Sequence, residues 1–270
     1  QGIEYIQTPD LLTAEVLELR IIGRLRPRYN HAGTRTAKYC YVRLTTEEEW
    51  PRLLVSKTPS AKGICIGPIS TRNMATEVVD AIESVIPLRR CTVRMGRNYV
   101  APDGAPVCSA ARLGLAQCPC SGTAEPESYA NAVQLAADAL VGKSSHVLDA
   151  LTERMNAHSD AQRYEEAAYL RDRIQIFETV LRRQKQAEQL CNQGMFTVTF
   201  DNIVYEVDNG VLASTRNADQ LFTPLGSLSK HIQEAIVAPT GVHDEHGMLR
   251  SDAMDEVLCI AKFLEARNDN

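Results

Sequence analysis

The sequence predicts an α+β protein built from several modest units. Three observations lead there. Two successive helical patterns run from Val147 to Leu190, short alternating apolar segments stand on both sides of them, and four cysteines crowd between positions 91 and 120. These patterns divide the chain at 1–90, 91–142, 143–190 and 191–270, as an α+β unit with a basic connector, a cysteine-containing segment, a helical hairpin and a small α+β end domain.

At 270 residues, 44% hydrophobic and 23% charged, the chain has the balance of an ordinary globular protein. No stretch approaches the roughly 18 apolar residues of a membrane helix and no basic-then-apolar signal opens it, which implies a cytoplasmic setting and no membrane partner. The net charge of -5 conceals an asymmetry. Arg20 to Arg112 holds sixteen Lys or Arg against seven Asp or Glu, whereas Cys191 to Asn270 holds five against twelve. The first region suits phosphate and the last does not.

Taken in order, Gly2-Ile3-Glu4-Tyr5-Ile6 reads as an edge strand. Thr8-Pro9-Asp10 then starts a helix, with Pro9 in its first turn, Leu12, Val16, Leu19 and Ile22 as its buried face and Pro27 as its stop. Glu18 lies beside that stripe, either as an exposed carboxylate or as a residue at the mouth of a site. Tyr39 to Leu44 alternates as a strand, Ile64-Cys65-Ile66-Gly67-Pro68 gives a second strand and a turn, and a helix follows from Asn73 to Val85. Arg35, Lys38, Arg43 and Arg52, with Lys57 and Lys62, form a basic path on which DNA phosphates can lie, and Tyr39 and Tyr41 are placed to stack on splayed bases. The alternative is a solvated rim around one core strand.

Cys91, Cys108, Cys118 and Cys120 offer four thiolates to one soft centre. Either a tetrahedral zinc or an iron-sulfur cluster takes such a set, and the spacing does not choose between them. Cys118-Pro119-Cys120 is tighter than the usual zinc knuckle, which disfavours zinc. A helix from Ser128 to Val141 braces this segment.

In the hairpin, Val147, Leu148, Leu151 and Met155 recur on one face, and Tyr164, Ala167, Leu170, Ile174, Phe177 and Leu181 form the facing stripe. Leu151, Met155, Leu170, Ile174 and Phe177 make an apolar seam with little core of its own, while Arg171, Asp172 and Arg173 fall on the wet side. That seam docks either on a partner hairpin or on its own chain. A partner surface makes Ile174→Ala far more damaging than Arg173→Ala.

Beyond Leu190, Phe196–Phe200 and Ile203–Val207 alternate as strands, and Asp208-Asn209-Gly210 is a strong turn signal before Val211. Helices follow near Leu225–Ile236 and Ser251–Ala266. Asp201, Glu206, Asp208 and Asp219 do not form a convincing acidic ligand set, and Asp208 is explained by turn chemistry.

The wording Arg163-Tyr164-Glu165-Glu166-Ala167-Ala168-Tyr169-Leu170-Arg171-Asp172-Arg173-Ile174 closely resembles the UVR motif of the nucleotide-excision-repair proteins UvrB and UvrC. That resemblance implies pairing with a second such hairpin, with UvrB the expected partner. Thr13 to Asn30 is similar to the last helix and turn of the GIY-YIG nuclease domain of UvrC, followed by matching stretches at Tyr39–Leu44, Pro51-Arg52-Leu53, Gly67-Pro68 and Pro87-Leu88-Arg89-Arg90-Cys91. It implies a partial GIY-YIG fold in which Glu18 is the catalytic carboxylate holding a single Mg2+ or Mn2+. The glycine-isoleucine-tyrosine strands and the arginine-bearing helix of that fold have no counterpart, so the expectation is that they lie upstream. The cysteine segment resembles the iron-sulfur segment of UvrC, with Ala116 where the third cysteine is expected and Cys118 two residues later. The whole is similar to the downstream part of actinobacterial-type proteins in which a DEDD-type 3′–5′ exonuclease precedes a UvrC-like region. Two functions follow as expectations. One is a DNA-repair nuclease whose active site is completed upstream, and the other is a nonenzymatic DNA- and partner-binding scaffold for the exonuclease.

Overall fold

A computed structural model describes residues 3–29, 39–217, 228–245 and 247–268. Asn30, Arg35, Lys38 and Asp219 lie outside the described residues. The chain forms two compact units, one of residues 38–182 and one that joins residues 1–37 to residues 183–270. Its architecture is mixed α+β, with a small antiparallel sheet in each unit.

In the unit of residues 38–182, β1 (Cys40–Leu44), β2 (Leu53–Ser56) and β3 (Ile64–Ile69) make an antiparallel sheet in the order β2-β1-β3. Val42 stands at the centre, opposite Val55 on one side and Ile66 on the other. Four of the five β1 residues are buried, as a middle strand of apolar and β-branched residues requires. Gly67 is fixed by its surroundings: its φ is 137°, and a Cβ there would stand 2.7 Å from the Tyr41 ring. Helix α2 (Arg72–Val85) is capped by the Thr71 hydroxyl, which accepts from the Met74 N–H at 3.2 Å. It lays Ala75, Val78, Ala81 and Ile82 against the sheet.

After α2 the chain runs through an irregular stretch to the short α3 (Ser109–Arg112) and a 310 turn at Pro119–Ser121. Helix α4 (Pro126–Leu140) begins with proline at its first position and Glu125 as its cap, an arrangement in which proline's missing N–H costs nothing. Helices α5 (His146–Asp160) and α6 (Tyr164–Asn192) form the expected hairpin across Ala161-Gln162-Arg163, with Gln162 in the left-handed region at φ 59°.

The hairpin is not a unit of its own, which corrects the division at 143–190. Val147, Leu151, Phe177 and Val180 join one core with Val42, Leu44, Ile82, Tyr129 and Leu140. A two-helix hairpin and three short strands cannot each bury a face separately, so Leu151 and Phe177 of the seam are covered within the chain.

The other unit also redraws a boundary. Helix α1 (Leu11–Leu25), expected to share a unit with β1–β3, packs instead with β4 (Met195–Phe200), β5 (Ile203–Asp208), β6 (Val211–Asn217), α7 (Lys230–Ala235) and α8 (Met254–Asn268). The sheet order is β4-β5-β6, closed by two tight hairpins. Asp201-Asn202 (φ 49° and 64°) and Asn209-Gly210 (φ 48° and 88°) adopt the left-handed conformations that two-residue hairpins need. Asp10 caps α1 by accepting from the Thr13 N–H at 2.9 Å, so Pro9 precedes the cap instead of sitting inside the first turn.

Leu12, Val16 and Ile22 are the buried apolar residues of α1, and a buried ion pair fixes its middle. Arg20 donates through Nε to Glu256 at 3.0 Å and through its terminal nitrogens to Glu256, the Ile236 carbonyl and the Leu212 carbonyl. Glu256 also accepts from the Leu212 N–H at 2.9 Å. A buried carboxylate and guanidinium persist because their partners satisfy both ends of the pair. Among the described residues no helix is long and apolar enough to cross a membrane.

Candidate functional site

The most constrained chemistry lies where the end of α2 meets the cysteine segment. Arg89 is the anchor. It is 1% exposed, and its guanidinium donates to the Trp50, Cys91 and Val93 carbonyls, the last at 2.7 Å, and to the Glu48 carboxylate. Glu48 also accepts from the Met95 N–H at 3.1 Å. One buried arginine therefore pins the irregular stretch after α2, where regular backbone bonding is missing. The same guanidinium reaches the Cys91 sulfur at 3.4 Å. On the other side, the Tyr129 hydroxyl of α4 accepts from the Arg89 N–H at 3.0 Å and donates to the Pro51 carbonyl at 2.6 Å.

The four cysteines converge on this platform. Cys108 precedes α3, and its backbone N–H and thiol both hydrogen-bond Cys118. Cys118 and Cys120 flank Pro119 on the 310 turn with their sulfurs 3.0 Å apart. Cys91 and Cys108 lie near enough to Cys120 for their charges to oppose its ionisation. Burial disfavours the Cys118 thiolate, yet hydrogen bonds from Cys108, Ser121 and Cys120 outweigh it and pull the thiol down. Burial, and then the bond and charge of Cys118, push Cys120 up.

Four thiols are a donor set that a soft metal centre can take. Among the described residues, no three or more His, Cys, Asp or Glu side chains are spaced to hold a metal ion as they stand. A tetrahedral zinc with bonds of about 2.3 Å needs sulfurs about 3.8 Å apart, so the pair at 3.0 Å has to open before it can ligate.

Glu83, near the end of α2, is a further perturbed group. Burial raises it to about 7, while Arg90 and Arg52 pull the other way. Arg90 sits 3.4 Å from its carboxylate. Arg52, expected on a DNA path, turns its Nε into the protein, where that atom has no hydrogen-bond partner.

The other expected site residues separate. Tyr39 and Tyr41 are each 3% exposed, so both belong to the sheet core and cannot stack on bases, which corrects that reading. Arg43 pairs with Glu47 and donates to the Lys62 carbonyl at 2.7 Å. Lys57 and Lys62 are exposed. Glu18 stands on the exposed side of α1, in the other unit from the cysteines.

On the hairpin, Leu151 (0% exposed) and Phe177 (1%) are core, Met155, Leu170 and Ile174 are half-buried, and Tyr164 and Tyr169 are open to solvent at 65% and 55%. Arg173 departs from its expected place on the wet side. It is buried, 2.9 Å from Glu77 and 3.7 Å from Asp80 of α2, with its guanidinium 4.8 Å from the Tyr169 ring. Arg89, Arg173 and Glu83 were not recognisable as site residues, because a charged side chain next to apolar residues reads as a surface position until its partners are known. The one available signal was the position of Arg89 directly after apolar Leu88 and two residues before Cys91.

A family model described as the UvrC/Cho excinuclease middle domain matches residues 39–139, and the UvrB/uvrC motif matches residues 146–176. The UvrABC system protein C of Clostridium novyi (strain NT) is 31% identical over 185 residues, covering 67% of this chain and 29% of that protein. Its counterpart in Oleidesulfovibrio alaskensis is 32% identical over 183 residues, 67% of this chain and 25% of that protein. The protein of Methanococcoides burtonii is 29% identical over 183 residues, with 67% and 30% covered. The chain thus spans about three-tenths of the length of the curated relatives it matches. No solved structure matches it. A middle domain that runs directly into the motif, with a relative 31% identical over 67% of the chain, makes this a UvrC-family chain.

Proposed function

We propose that the chain is the central and following portion of a nucleotide-excision-repair nuclease, which holds a thiol-bound cofactor, contacts DNA and presents a docking hairpin. The observation that carries this reading is the unbroken order of UvrC-type middle domain and UvrB/UvrC motif. The phosphodiester chemistry belongs to a GIY-YIG-like domain of which α1 is one helix, with Glu18 the carboxylate for Mg2+ or Mn2+. A single exposed carboxylate does not by itself make a magnesium site, so no catalytic step is assigned to this chain's own residues. The 270-residue chain alone is expected not to cut DNA.

Cys91, Cys108, Cys118 and Cys120 would hold an iron-sulfur cluster, or less suitably zinc. Such a centre, when bound, supplies a rigid crosslink and, if iron-sulfur, one-electron chemistry. The convergence of the thiols and the fixing of Cys91 by Arg89 support the assignment. For DNA, exposed Lys57, Lys62, Arg94 and Arg97 are better placed than the buried tyrosines.

For the partner, Tyr164 and Tyr169, with the half-buried Met155 and Ile174, remain available on the hairpin where Leu151 and Phe177 do not. The partner is a second hairpin of the same motif, as in UvrB. Titrating the full chain with a cognate UvrB hairpin tests this. Binding weakened at least tenfold by Tyr164→Ala is expected, and no binding by the folded chain defeats the partner assignment. The second reading is a nonenzymatic scaffold for a fused DEDD-type exonuclease, in which exposed Glu18 has no catalytic part. Incision by the intact protein that is lost upon Glu18→Gln supports the nuclease, while unchanged incision with lost exonuclease targeting supports the scaffold.

A further inference from the structure

We propose that Cys118 and Cys120 are a peroxide-sensitive dithiol that closes to an intrachain disulfide across Pro119. Their sulfurs are 3.0 Å apart, about 1 Å beyond the length of a disulfide bond. Neither residue has to travel, because the turn between them is fixed at several points. The Gln117 N–H donates to the Pro87 carbonyl at 3.0 Å, and the Ser121 and Thr123 hydroxyls both donate to the Cys118 carbonyl, at 3.0 and 3.4 Å. The Gly122 N–H closes the turn on the Pro119 carbonyl at 3.1 Å, with Gly122 at φ 72°.

Access sets the class of oxidant. Cys118 is 3% exposed and Pro119 is buried, whereas Cys120 is half-open. A bulky disulfide does not reach Cys118, while hydrogen peroxide is close to water in size. In the first step the Cys118 sulfur gives an electron pair to one peroxide oxygen, an S–O bond forms and the O–O bond breaks. The departing hydroxide takes the thiol proton and leaves as water. In the second, the Cys120 sulfur attacks the Cys118 sulfenic sulfur. The S–S bond forms, the S–O bond breaks, and the oxygen leaves with the Cys120 proton as the second water. The two thiols lose two electrons and peroxide gains them.

Such a disulfide takes two of the four thiolates away from any metal centre, so oxidation and cofactor loading exclude one another. The dithiol itself does not depend on the cofactor assignment. Geometry singles out this pair: the two sulfurs stand 3.0 Å apart on one turn, whereas Cys40 and Cys191 are buried elsewhere.

The test uses the full chain, with metal content measured first and then removed by a chelator under reducing conditions. After brief exposure to equimolar hydrogen peroxide, free thiols are alkylated and the chain is cut with trypsin. Residues 113–143 form one tryptic peptide that holds Cys118 and Cys120 and no other cysteine. The expected product is this peptide unalkylated and lighter by two hydrogens, formed before Cys91 or Cys108 is blocked and in Cys108→Ser as well as in the parent chain. In Cys120→Ser the light peptide disappears and a sulfenic acid on Cys118 is trapped by a dione probe. Full alkylation of the peptide while other thiols oxidise, or linkage of Cys118 to Cys91 or Cys108, overturns the proposal. Circular dichroism after chelation confirms that the oxidised material is folded, and the initial iron or zinc reading reports separately on the cofactor.

Discussion

At the scale of single residues, the charged side chains of the middle unit, residues 38–182, are set by burial and by their partners together. Glu83 shows this through pH. Its folded acid is raised from 4.5 to about 7 by burial, so the folded state binds the proton more tightly than the unfolded one. The stability it contributes is complete below about pH 4.5 and is lost as pH rises through about 7. Glu83→Gln should therefore flatten the pH dependence between these limits and make the unit more stable at pH 8, by at most about 3 kcal/mol. Urea unfolding at pH 4.5, 6 and 8 measures it, and an unchanged slope between wild type and variant rejects the assignment. Arg173 gives a second case. Arg173→Ala strands Glu77, which is 20% exposed, and should cost about 2–4 kcal/mol, somewhat less than a fully buried pair. Ile174 is only half-buried, so Ile174→Ala should cost no more than Arg173→Ala, the reverse of the order that the stripe alone suggests. Denaturation midpoints of the two variants decide it.

At the scale of elements, the hairpin of α5 and α6 was legible and its burial was not. The apolar spacing places both helices within a few residues of their observed ends, because helical period is a local property. The same holds for α2, for β1, and for the hairpin at Asn209-Gly210, whose residue types have few other uses. What covers a stripe is a tertiary matter. Leu151 and Phe177 have the same pattern whether they meet a partner or α2 and α4, and only the second occurs in the structure. Tyr39 and Tyr41 misled for a related reason, since an aromatic on a basic strand suits both a base and a core. The crowding of the cysteines is plain in the sequence, but the hold of Arg89 on Cys91 is not, because it depends on Glu48 and Trp50 some forty positions earlier. Leu151→Ala should cost about 2–5 kcal/mol of middle-unit stability as a buried leucine does, and should release the amides of α5 to hydrogen exchange together with those of α2. Faster exchange confined to α5 would show that the hairpin is energetically separate after all.

At the scale of the whole molecule, one unit is continuous in sequence and the other is assembled from two distant stretches. Deleting residues 1–29 should therefore unfold the unit containing β4–β6 while leaving the core around Val42 and Tyr129 intact. Near-ultraviolet spectra, in which Trp50 reports on the continuous unit alone, check this together with protease mapping of residues 195–268. The single-residue version is Arg20→Ala, which leaves Glu256 buried at 5% exposure without its guanidinium and should lower the stability of that unit by about 3–5 kcal/mol.

The docking of α1 also has a consequence for synthesis on the ribosome. Leu12, Val16 and Ile22 leave the ribosome more than two hundred residues ahead of α8, which carries Glu256 and Val257. At about 5–20 residues per second, the separation of more than two hundred residues amounts to a wait on the order of 10–50 s. The continuous unit has all its residues well before then and can condense while α1 is still without its cover. During that interval an apolar helix face is displayed to solvent, so the nascent chain is a natural client for a holding chaperone, and any pause in translation before α8 lengthens its exposure.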